Sequence, residues 1–63
     1  MDFDVKKWLL ANGFKAHGAN KFVGEKCSVF LTNRKISITF GGMINNVNNA
    51  SDMMHNLMEL NLI

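Results

Sequence analysis

Sixty-three residues, 48% of them apolar and 19% charged, have the composition of one small globular unit and exclude a wholly disordered chain. The formal net charge of +2 is far below that of a dedicated polyanion binder, so where the lysines stand matters more than their sum. A single cysteine excludes an internal disulfide, and the lack of any long apolar run excludes a membrane-spanning helix.

The opening MDFDVKK is acidic and then interrupted by paired lysines, unlike a secretory signal, which predicts a cytoplasmic protein. Asp4 is a good N-cap, and Phe3 before it with Trp8 inside forms the pattern of a hydrophobic staple. Val5, Trp8 and Leu9 then share a helical face, Gly13 supplies the left-handed stop, and Phe14 can fold back on Leu9. The first helix is predicted at about 4–12. Residues 15–19, KAHGA, read as a loop or a ragged strand start.

From Lys21 to Phe40 the pattern changes to period two, the signature of half-buried strands. Strands are predicted at about 19–23, 26–32 and 35–40. With Asn33-Arg34 as a two-residue turn, Leu31 faces Ile36, Val29 faces Ile38 and Cys27 faces Phe40. Gly24-Glu25 suits a type II′ turn, a register that pairs Phe22 with Cys27. One face collects Phe22, Cys27, Val29, Leu31, Ile36, Ile38 and Phe40. The other carries Lys21, Val23, Lys26, Ser28, Phe30, Lys35, Ser37 and Thr39, with Arg34 at the turn.

The next stretch, GGMINNVNN, reads as loop because of its glycines and asparagines. Asn49 or Ser51 then caps a second helix at about 50–62, whose apolar stripe gathers Ala50, Met53, Met54, Leu57, Met58 and Leu60. The sum is a single α+β domain over 1–63. It is a two-layer αβββα sandwich, a three-stranded antiparallel meander with both helices on one face. A chain of this length buries only about 60% of the surface its unfolded form exposes, so a homodimer would add stability.

The layout resembles the small αβββα domains of the double-stranded-RNA-binding type, and within them the HicA-like toxins of toxin-antitoxin modules. The residues that carry the resemblance are VKKWLLANGF at the first helix and SDMMHNLMELNLI at the last. The resemblance implies a ribonuclease histidine in a Gly-Ser-His segment at the first strand, where this chain has Gly18-Ala19-Asn20; His17 precedes the glycine instead. The lysine cluster that such RNA-binding domains place at their last helix is replaced by Ser51-Asp52-Met53-Met54.

His17, His55 and Cys27 are the only soft metal ligands and show no zinc-type spacing, so no metal or other cofactor is expected. Ser51, Asp52 and His55 are better explained by capping and a solvated helix face than by a catalytic triad. Lys21, Lys26, Phe30, Arg34 and Lys35 form the constellation with a functional shape, since cations attract phosphates and a ring offers a base a stacking surface. Exposed lysines also discourage edge-to-edge aggregation, the plainer reading of the same residues. The first expectation is a non-enzymatic regulatory module that binds RNA or single-stranded DNA. The second is a protein-interaction or inhibitor domain of phage or mobile-element type, homodimeric or bound to a host protein, which would use Val23, Met58, Leu62 and Ile63. The third is a degenerate HicA-like ribonuclease with His17 in the catalytic role.

Overall fold

The computed structural model describes residues 4–32 and 35–63. Phe3 of the expected staple and the Asn33-Arg34 turn lie outside the described residues. Helix α1 spans Val5–Ala11; Asp4 caps it by accepting the Lys7 N–H at 3.1 Å. Gly13 takes φ +92°, and the Phe14 N–H donates back to the Leu9 carbonyl at 3.0 Å. This Schellman-type closure turns the Phe14 ring into the core.

Among the described residues five strands follow instead of three: β1 (Lys15–Ala16), β2 (Lys21–Val23), β3 (Ser28–Leu31), β4 (Ile36–Phe40) and β5 (Met43–Val47). They form one antiparallel sheet in the order β1-β2-β3-β4-β5, so the fold is α+β with a five-stranded meander and two helices. The β3–β4 register places Leu31 opposite Ile36 and Val29 opposite Ile38, as the alternation predicts. Strand β5 replaces the expected loop. Gly41 and Gly42, at φ +53° and +79°, make the two-residue turn whose positive dihedrals match sheet twist, and Phe40 pairs with Met43 across it.

The β2–β3 register is corrected by two residues: Phe22 pairs with Val29, and Gly24 donates its N–H to the Cys27 carbonyl at 2.8 Å. The turn is therefore centred on Glu25-Lys26. Gly24 is needed for closeness rather than for positive φ, because a Cβ there would sit 2.8 Å from Phe14 Cε2. A slip of two preserves the period of the pleat, so the side chains that remain in β2 and β3 keep their expected faces, while Lys26 passes into the turn.

Helix α2 spans Ala50–Glu59, capped by Asn49, whose Oδ1 accepts the Asp52 N–H at 2.8 Å. It ends short of residue 62 because Asn61 adopts φ +55°. The Asn61 and Leu62 N–H groups then donate back to the Met58 and Leu57 carbonyls. Leu62 thereby folds against the core, as does Trp8. The core itself unites Leu9 of α1, Phe14, Phe22, Cys27, Val29, Ile38, Val47, and Met53 and Leu57 of α2. The strand residues among them share one face, so both helices cover that face. Met58 and Leu60, expected on the docked stripe, are exposed instead. Among the described residues no helix is long and apolar enough to cross a membrane.

Candidate nucleic-acid interface

The pairing registers define the uncovered face as rows running across the strands. One row reads Lys15, Val23, Ser28, Thr39, Ile44, and the next Lys21, Phe30, Ser37, Asn46. Lys35 follows beside Thr32, whose N–H and Oγ1 both donate to the Lys35 carbonyl, at 3.0 and 3.1 Å. The Lys21 ammonium stands 5.5 Å from the centroid of the half-buried Phe30 ring, within cation–π range. Ser37 Oγ donates to Asn46 Oδ1 at 2.7 Å, which fixes a hydroxyl and an amide side by side on this surface.

Charge on this face is of one sign. Among the described residues the carboxylates lie elsewhere: Asp4 caps α1, Glu25 occupies the β2–β3 turn, and Asp52 and Glu59 belong to α2. The Glu59 Oε2 accepts from His55 Nε2 at 2.7 Å on the exposed side of that helix. An anion approaching the sheet therefore meets Lys21 and Lys35 with no carboxylate of the described residues on the same face, while Lys15, at the margin, shares a shallow depression with Glu25 of the β2–β3 turn.

Of the residues the sequence singles out, Lys21, Phe30 and Lys35 lie together on this face. Arg34 lies outside the described residues. Lys26 leaves the group: its Nζ donates to the Asn61 carbonyl at 3.2 Å, just beyond the C-terminal end of α2, where a cation suits the helix dipole. Its position in a turn, where strand alternation stops, is the reason. Val23 sits on the open face, whereas Met58, Leu62 and Ile63 belong to the end of α2 and its tail, so these four do not form one patch. Leu62 and Ile63 instead line an open depression of about 240 Å³ with Asn12, Phe14, Gly24 and Lys26.

Two members of the face, Lys15 and Ile44, escape sequence reading because their strands do. Lys15 would have followed from Val23, its partner across β1–β2, had the KAHGA segment been read as a strand. His17 falls opposite Lys21 at the end of that ladder, where its N–H donates to the Lys21 carbonyl at 2.8 Å. Among the described residues no three histidine, cysteine, aspartate or glutamate side chains converge as a metal site would require.

Cys27 faces the core, and burial pushes its thiol pKa up. The stability contributed by keeping it protonated is complete below the unfolded thiol's value and is lost as pH rises from there through the raised folded one. The native protein should resist iodoacetamide at neutral pH and take one full equivalent in denaturant, as read by mass; rapid native alkylation would contradict this placement.

No protein-family model, curated protein or solved structure matches the chain.

Proposed function

We propose that this protein is a binding module that takes single-stranded nucleic acid, RNA or DNA, across the uncovered face of its sheet. The observation that carries the reading is the coincidence of Lys15, Lys21 and Lys35 with Phe30 on one pleated surface free of carboxylates among the described residues. The lysines supply phosphate attraction, Phe30 supplies a stacking platform beside the Lys21 charge, and Ser37 with Asn46 supplies neutral hydrogen-bonding groups on the far side of the ring from Lys21.

The test is a salt titration of binding to a short single-stranded oligonucleotide. Each phosphate neutralised contributes about 0.7 to the slope of log affinity against log salt for single strands. The double substitution Lys21→Ala, Lys35→Ala should therefore flatten that slope by about 1.4. Phe30→Ala should weaken binding by about 1–3 kcal/mol at any salt while leaving the slope unchanged. Affinity indifferent to salt and to the lysines would remove this reading. It would favour the competing one, a protein-interaction or inhibitor domain that uses the apolar end of α2, where Met58, Leu60 and Ile63 stand exposed.

A further inference from the structure

The two edges of the sheet are unequal. Edge β1 is only two residues long and carries Lys15, both of which are recognised protections against edge-to-edge pairing. Edge β5 has five residues and no proline, charge or bulge, and its pairing with β4 is continuous from Met43 to Val47.

Hydrogen-bond alternation shows which of its backbone groups are unspent. Thr32 donates to Lys35, so Lys35, Ser37 and Thr39 aim their backbone groups toward β3, and Ile36, Ile38 and Phe40 aim theirs toward β5. Their partners Val47, Asn45 and Met43 point back, which leaves the N–H and C=O of Ile44 and Asn46 directed outward. The side chains add to this: Met43 is 62% and Ile44 70% exposed, at the same margin.

We propose that β5 pairs antiparallel with β5 of a second copy of this chain, joining two sheets into one across a two-fold axis. Asn45 then lies opposite the partner's Asn45. Ile44 exchanges both backbone hydrogen bonds with the partner's Asn46, and Met43 meets the partner's Val47 on the helix-covered side. This register places every outward-directed group of the strand in a hydrogen-bonded pair.

Charge selects a copy of the chain as the occupant. The run from Ile36 to Ser51 contains no charged residue and is the longest such run in a chain of formal charge +2, so two copies can meet along it without like-charge repulsion. A chain this short also has the most to gain from burying additional surface. The two-fold axis stands perpendicular to the joined sheet, so both lysine-bearing faces end on the same side. The pairing does not depend on what that side binds.

Sedimentation of the intact chain from micromolar to millimolar concentration tests the proposal. The expected result is a monomer–dimer equilibrium that is abolished in Ile44→Lys, which brings a charge to the seam, and in Asn46→Pro, which removes an outward donor. A chain that stays monomeric throughout, or a dimer that survives both substitutions, overturns it. Amide hydrogen exchange on the unsubstituted chain gives a second readout should either variant misfold. The Ile44 and Asn46 amides should gain protection as concentration rises, and exchange at those two sites that is independent of concentration overturns the proposal.

Discussion

Leu57→Ala should cost about 2–5 kcal/mol, while Met58→Ala, one residue along the same helix, should change stability by no more than about 0.5 kcal/mol. Leu57 is wholly buried among Val29, Ile38 and Met53, and its loss leaves a cavity that the rigid sheet cannot collapse to fill. Met58 is 60% exposed and has little to lose. At about 0.05–0.15 kcal/mol per residue, a chain of this size has roughly 3–9 kcal/mol in all, so the Leu57 variant should be largely unfolded or close to it. Denaturant midpoints followed by circular dichroism, at one fixed protein concentration, provide the measurement. Equal midpoints for the two variants would mean that α2 docks through a different face.

Gly24→Ala is expected to destabilise by about 1–3 kcal/mol through overpacking against a single ring. The added carbon would stand 2.8 Å from Phe14 Cε2, 3.0 Å from Cδ2 and 3.1 Å from Cζ. Phe14 has little freedom to retreat, since it is 3% exposed and its N–H is held by the Leu9 carbonyl. The same substitution made in a Phe14→Leu background should cost less, giving a coupling energy of about 0.5–3 kcal/mol in a double-mutant cycle. Strict additivity would show that Gly24 is required for some other reason.

These two residues also mark where sequence reading succeeds and where it stops. The faces of β3 and β4 were legible because Val29, Leu31, Ile36 and Ile38 alternate with hydroxyls, a lysine and the single ring of Phe30, and only one register matches every apolar pair. The ends of α1 were legible because Asp4 and Gly13 are residues whose capping chemistry is local. Gly24 was misread as a turn glycine, because a sequence does not say which aromatic ring will lie over it.

Strand β5 was hidden by Asn45 and Asn46, residue types that strands disfavour. Their place is secured by distant partners: Asn45 Nδ2 donates to Asn56 Oδ1 on α2 at 2.8 Å, and Asn46 accepts from Ser37. The adjacent glycines were the available signal, since a Gly-Gly pair after an alternating strand is a hairpin turn in its own right. The helical wheel of α2 carried the docked stripe through Met58 and Leu60. The buried part of the helix ends at Leu57, and the αL stop at Asn61 uses a residue less diagnostic than glycine. Of the candidate surface, Lys21, Phe30 and Lys35 could be placed from alternation alone, while Lys15 and Ile44 required the two strands that flank the expected sheet.

The meander has a kinetic corollary. Each strand pairs with its neighbour in the chain, so the sheet can zip from local contacts, each hairpin closing on a timescale of about 1–10 μs. With no proline there is no prolyl isomerisation to delay the native state. The contacts that must close the longest loop are those that bring Leu9 of α1 into one core with Met53 and Leu57 of α2, and loop entropy makes that union the costly one.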